Sequence, residues 1–368
     1  MSGGTSVETI SSGVDSGIST VTTPLDKTTT TTDDGTEITT YTYEGGNKVI
    51  SDYVTGEKVN LSTAVTGFTV NDSGTVVINS SNGTLTLKNC KDDIMTFADA
   101  NGNVIAYAYI ASGEGTLDGR GISAFEVIIG ADNAPNYILA SGSGSSLYGG
   151  KGGGNTLSGG AGADTFVYTD GTDLVKNATT GDRVNFNSEY KDFEFVNDDV
   201  AVKSTSGEVI IQSVLNQVID VGAGDFTAHV YRAASEGVID GRNVGGVEVI
   251  SGANDVSNVI YAGSGGSSLY GGRRGMDTLI GGDGADCFIF GLDAGIDTVQ
   301  NAQSNDCINL TGVTLDQITG VSTTAGLTKV SLVSGAELTV DGNNGAGYLI
   351  QGQMYDVNME TNSLTARG

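Results

Sequence analysis

The 368-residue chain contains no tryptophan, two prolines, one histidine and three cysteines. Each scarcity excludes something. A lone histidine, His229, has no partner of its kind with which to build a metal site or a relay, and in a β-rich chain it reads as a packing or surface residue. Neither Gly-x-Ser-x-Gly nor His-Glu-x-x-His occurs, so the nucleophile elbow and the zinc-protease helix are excluded, and the chain is expected not to be an enzyme. Cys90, Cys287 and Cys307 are an odd number without metal-site spacing, so no disulfide framework is indicated. Cys287 with Cys307 stays open as a pair, although the equivalent positions elsewhere in the chain are Thr165 and Arg183.

Long hydrophobic runs are also missing. The longest, Val104 to Ala111, is far too short to span a bilayer. The start, Met1-Ser2-Gly3-Gly4, lacks the basic and apolar pattern of a signal peptide. The chain is therefore either cytosolic or exported by another route, with no membrane insertion expected. Positive charge is scarce as well: 17 Lys and Arg stand against 44 Asp and Glu, a formal net charge of -27. Such a surface repels phosphate backbones, which removes nucleic acid as a partner and favours a hard cation, unless the acidity serves solubility alone.

What is abundant is glycine, with 57 residues, accompanied by Ser, Thr, Asn and Asp. This composition favours short strands and tight turns over helices, and no helical stripe is found. Self-comparison organises the chain. Glu114 to Tyr168 aligns without gaps to Glu236 to Phe290 at an offset of 122, with 29 of 55 residues identical. After each block runs a second shared pattern, Asp173 to Phe186 and Asp297 to Leu310, and a third copy begins at Val49. The plan read from this is a Thr-rich leader (1–45), then module (46–113), block (114–170), module (171–235), block (236–292) and module (293–368). The modules read as hairpins, for example Thr75 to Asn79 and Thr84 to Lys88 across Ser80-Ser81-Asn82-Gly83, with Asn101-Gly102 as another turn.

Inside the first block apolar residues recur at Ile128, Ile138, Leu147, Leu157 and Phe166, each preceded two positions earlier by Glu126, Asn136, Ser145, Asn155 and Asp164. The second block repeats the rhythm with Ile250, Ile260, Leu269, Leu279 and Phe288, and with Glu248, Asn258, Ser267, Asp277 and Asp286. One apolar residue per nine or ten, after a glycine-rich turn ending in a polar oxygen, predicts an all-β solenoid: two short parallel β-roll blocks alternating with three small β-rich modules.

Gly159-Gly160-Ala161-Gly162-Ala163-Asp164-Thr165-Phe166-Val167 and Gly281-Gly282-Asp283-Gly284-Ala285-Asp286-Cys287-Phe288-Ile289 resemble the RTX nonapeptide Gly-Gly-x-Gly-x-Asp-x-apolar-x of secreted bacterial calcium-binding proteins. The resemblance implies a coil in which two nonapeptides complete a turn and adjacent turns share Ca2+. It makes Asp277, Asp286 and Asp164 candidate ligands, with Asn258, Glu248 and Asn155 beside them. The turn glycines Gly281, Gly282, Gly284, Gly159, Gly160 and Gly162 would supply positive φ and expose carbonyls and amides to the ion. Asparagine either coordinates through its carbonyl or forms a stacked amide ladder without metal. The pattern is broken where Gly149 to Ser158 and Gly271 to Ile280 run to ten residues, and Arg273-Arg274 puts two cations in one turn.

Three functions follow as expectations. The first is an extracellular, calcium-binding structural or self-assembling subunit of a fibre, matrix or surface layer, or an adhesin with cell-surface or glycan contact. The second is a secretion and folding module of a larger type I-secreted protein, and the third a carbohydrate-binding module, which the missing tryptophan weakens. The resemblance also implies export without N-terminal cleavage. Within the leader, Thr36 to Tyr43 is a strand candidate with Thr28 to Thr32 before it, either a local hairpin or solvated tail, or a strand exchanged between copies to give a homo-oligomer or fibre.

Overall fold

The structure, a computed structural model, describes residues 23–71, 74–223, 226–341 and 345–368. Leader residues 1–22 lie outside the described residues. The chain forms two compact units, Met1–Asn177 with Ser206–Glu208, and Ala178–Thr205 with Val209–Gly368. Among the described residues the regular elements are strands, apart from a 3-10 turn at Leu315–Gln317.

In the first unit two parallel stacks alternate along the chain. Val104–Ile110, Phe125–Ile129, Ser145–Tyr148 and Thr165–Tyr168 build one stack. Gly115–Asp118, Asn136–Leu139, Thr156–Ser158 and Gly171–Lys176 build the other. Each turn of the chain contributes one strand to each stack, which is the architecture of a β-roll. Short strands with one inward side chain can do this only if the same position faces inward on every turn. It does: Ile128, Leu147 and Phe166 are register partners, as are Ile138, Leu157 and Val175, and all six are buried.

The second unit repeats this scheme. Phe226–Arg232, Val247–Ser251, Ser267–Tyr270, Cys287–Phe290, Cys307–Leu310 and Gly347–Ile350 stack in parallel. Opposite them stack Gly237–Asp240, Asn258–Tyr261, Thr278–Ile280, Ile296–Gln300 and Glu337–Asp341. Ile250, Leu269, Phe288, Ile308 and Tyr348 form one inward file and Ile260, Leu279, Val299 and Val340 the other, all buried in one cluster. The parallel stacks thus run on past residue 292, and the antiparallel pair Ile318–Thr324 and Leu327–Leu332 is inserted between two roll turns. Cys287 and Cys307 face each other on neighbouring strands, both half-buried and both free thiols.

At the N-terminal end of the first unit, Lys27–Thr31 pairs antiparallel with Glu37–Tyr43, which in turn pairs parallel with Lys58–Leu61. The strand candidate of the leader is therefore paired within its own chain. Tyr41 and Tyr43 of that strand are fully buried, and the Tyr43 hydroxyl donates to the Gly46 carbonyl at 2.9 Å. Val76–Ser80 and Gly83–Leu87 form the expected hairpin.

Candidate metal-binding columns of the rolls

Residues 18 to 20 apart stack one above another, so each polar residue that closes a turn meets its equivalent on the next turn. In the first unit the backbone N–H of Asn136 donates to Oδ1 of Asn155 at 3.0 Å, and that of Asn155 to Oδ1 of Asp173 at 3.0 Å. The side-chain amides of both asparagines donate to the same oxygens, at 3.0 and 2.9 Å. Across the roll, Glu126 accepts from the Ser141 N–H at 2.5 Å and the Ser145 hydroxyl at 3.2 Å, and Oδ2 of Asp164 accepts from the Gly160 N–H at 2.7 Å.

The second unit carries the same pair of columns with more charge. Asn258 N–H donates to Oδ1 of Asp277 at 2.7 Å, and Asp277 N–H to Oδ1 of Asp297 at 3.0 Å. On the other side Ser267 N–H donates to Oδ1 of Asp286 at 2.8 Å and Asp286 N–H to Oδ1 of Asp306 at 2.9 Å. Glu248 accepts from Gly263 N–H at 2.6 Å. One oxygen of each ladder carboxylate therefore caps an amide of the preceding turn, which satisfies a buried donor that the parallel ladder leaves over. The sequence-predicted polar residues fall into these columns. Asp173, Asp297 and Asp306 continue them and were assigned to modules from sequence; their signal was the near-constant spacing from Asn155, Asp277 and Asp286.

The motif glycines do something other than expected. None of Gly159, Gly160, Gly162, Gly281, Gly282 and Gly284 has positive φ. They permit close stacking instead: a Cβ on Gly160 would lie 1.7 Å from the Ser141 carbonyl oxygen, and one on Gly282 lies 1.9 Å from that of Gly263. Positive φ belongs to neighbours such as Gly150 (+90°) and Gly272 (+115°). The carbonyls of Gly281, Gly282 and Gly284, expected to face an ion, accept from the side-chain amides of Asn301, Gln303 and Asn305 at 2.8, 2.9 and 3.0 Å. Amide donors thus satisfy these three carbonyls.

The Asn258 column differs. Oδ1 of Asn258, Oδ2 of Asp277 and Oδ2 of Asp297 are buried without any hydrogen-bond partner, and Oδ2 of Asp173 is the counterpart in the first unit. Gly271 and Gly275 leave room beside the Asp277 oxygen, since Cβ atoms on them would approach it to 2.7 and 3.2 Å. Burial pushes the carboxyl of Asp277 up to about 6 and that of Asp297 up to about 8, with the neighbouring Asp277 charge adding to the latter. Burial likewise raises Asp173 and Asp286 to about 6. Three orphaned oxygens of hard-ligand type in one column fit a hard cation in donor chemistry. The fit relies on two carboxylates and an amide, because no group of three or more His, Cys, Asp or Glu placed to hold a metal occurs among the described residues. The cationic loop residues stand beside the columns: Arg274 pairs with Asp255 at 2.8 Å, while Arg273 lies 4.0 Å from Asp293.

No protein-family model and no curated protein matches the chain. Among solved structures, the crystal structure of the extracellular lipase LipA from Serratia marcescens is similar at 15% identity and a TM-score of 0.29, over 62% of this chain and 40% of the lipase. The chain thus spans less than half of that enzyme's length. Against the expectation of a chain that is not an enzyme, the similar structure is that of an enzyme. No helix among the described residues is long and apolar enough to cross a membrane.

Proposed function

We propose that the protein is a secreted, calcium-binding β-roll protein with a structural role outside the cell. The observation that carries this reading is the Asn258, Asp277 and Asp297 column, with three buried oxygens that have no partner on successive turns of one roll. Asp277 and Asp297 would hold the ion through Oδ2 and Asn258 through Oδ1. A bound Ca2+ would supply the counter-charge that lets both carboxylates ionise. At low calcium only protonation would relieve the buried charge of the column, so stiffening of the roll would follow the ion.

Self-association is supported by the N-terminal hairpin. Lys27–Thr31 is exposed along its whole length and pairs only with Glu37–Tyr43 among the described strands, which leaves one edge for strand addition by another copy. The test of the calcium reading is calorimetric unfolding of chelator-treated protein with and without millimolar Ca2+, together with elemental analysis. A higher melting temperature and bound calcium are expected. Unchanged melting with no bound metal would remove it.

A further inference from the structure

On the outer face of the second roll, Arg232, Ser251, Tyr270, Ile289 and Asn309 are successive register partners on five parallel strands. The antiparallel hairpin Tyr190–Val196 and Asp199–Ser204 lines the same cleft, which has a volume of about 400 Å³. Its Phe195 ring meets the Tyr270 ring edge-on at 4.9 Å, and the Tyr270 hydroxyl donates to the Phe193 carbonyl at 2.9 Å.

Arg232 is the unusual member. It is 4% exposed, its guanidinium donates to the Ser251 hydroxyl at 3.0 Å and lies 5.6 Å from the Phe195 ring centre, and its Nε has no partner. Among the described residues no carboxylate forms an ion pair with it, and Asp198 and Asp199 act on it only through their charge. The other cations of the cleft have partners: Lys203 with Glu194, and Arg273 with Asp293 at 4.0 Å. A buried guanidinium without a paired carboxylate is costly, and burial holds Arg232 below the ordinary arginine range against the opposing charges of Asp198 and Asp199.

The fold does not require that cost. The repeat places Ile110 and Ile129 of the first unit at the positions of Arg232 and Ser251, and these are register partners followed by Tyr148 and Val167. An apolar file completes the same face there. Arginine and serine in the second copy therefore answer to something other than packing.

We propose that this cleft binds a carboxylate-bearing sugar of the uronic acid class. Arg232 would take the carboxylate through its planar fork, Phe195 and Tyr270 would face the ring, and Asn254, Asn309 and Thr311, which line the cleft, carry short polar groups suited to hydroxyls. The volume matches a small-molecule site. The site is independent of whether the roll holds calcium.

The test is isothermal titration of the full chain with D-glucuronate and D-galacturonate at fixed calcium, with D-glucose, acetate and inorganic phosphate as comparisons. At least one uronate should bind, and more tightly than glucose or acetate. Arg232→Ile copies the residue found in the first unit and should fold with unchanged circular dichroism while weakening uronate binding by about tenfold or more. If that variant does not fold, Phe195→Ala, on the hairpin, should weaken binding by a similar factor with the roll intact. Absence of uronate binding, equal binding of glucose, binding of phosphate but of no uronate, or undiminished affinity in the folded variants would each overturn the proposal.

Discussion

The backbone N–H of Asp277 donates to Oδ1 of Asp297, one roll turn later, at 3.0 Å, while the other oxygen of each carboxylate is buried without a partner. Each aspartate is thus half satisfied by the fold. On the proposed function, the remaining oxygen is what protons and Ca2+ would compete for.

Replacing Asp297 by Asn keeps the acceptor that caps Asp277 and removes the charge that burial opposes. Asp297→Asn is expected to raise the melting temperature of chelator-treated protein at pH 7.5 and to reduce the further rise that Ca2+ produces. Loss of stability without metal, or an undiminished calcium response, would contradict the assignment. Asp277→Ala should weaken calcium binding more than Asp164→Ala, because Asp277 stands between Asn258 and Asp297, each with a buried oxygen that has no partner. Equal losses would remove the ranking of the two units.

The pH dependence has a definite sign. Burial raises the carboxyls of Asp277, Asp286 and Asp173 to about 6 and that of Asp297 to about 8, above the ordinary aspartate value. The folded chain then binds more protons than the unfolded one between about pH 4 and 8, so this contribution is complete below pH 4 and lost as pH rises through the folded values. Metal-free protein should become less stable from pH 5 to pH 8. The stabilisation by Ca2+, about 2.7 kcal/mol at a hundredfold excess over its dissociation constant, should grow over the same interval because the ion displaces protons. Unfolding midpoints at four pH values with and without chelator check both slopes.

Glycine substitutions separate close approach from turn conformation. Gly282→Ala should destabilise by about 3 kcal/mol, because its Cβ would meet the Gly263 carbonyl oxygen at 1.9 Å. Gly237→Ala, with open space and no positive φ, should stay within about 0.5 kcal/mol of the parent. Chemical denaturation of the two variants distinguishes them, and similar losses would refute the stacking explanation.

Assembly through the N-terminal hairpin is tested without touching the core. Deletion to residue 45 would remove buried Tyr41 and Tyr43, each worth about 3 to 5 kcal/mol. Thr29→Pro instead alters an exposed strand. Light scattering in millimolar calcium should show large particles for the parent chain and fewer for Thr29→Pro at unchanged melting temperature. A parent that stays monomeric, or equal assembly of both, would exclude this edge.

Much of the roll is legible in the sequence. The nine- and ten-residue rhythm picks out Ile128, Leu147 and Phe166, or Ile250, Leu269 and Phe288, because a one-residue slip would turn each of these side chains to solvent. The same spacing places Asn258 beneath Asp277, and the turn composition announces strands without helices. These features are local, repeated and carried by single residues.

Other features arise only when turns 18 to 20 residues apart are laid on one another. The motif glycines were read as sources of positive φ, whereas the approach of Gly160 to Ser141 and of Gly282 to Gly263 is a property of two stacked backbones. That Asn301, Gln303 and Asn305 occupy the carbonyls of Gly281, Gly282 and Gly284 depends on the length of the loop between them. Arg232 looks like an ordinary surface cation in sequence. Its burial is decided by the hairpin at Tyr190–Val196, some forty residues away along the chain. The sequence determines which side chain faces inward on each strand, because pleat and register act residue by residue. Which polar atoms end without a partner is decided by the tertiary structure, since that depends on what the neighbouring turn brings against them.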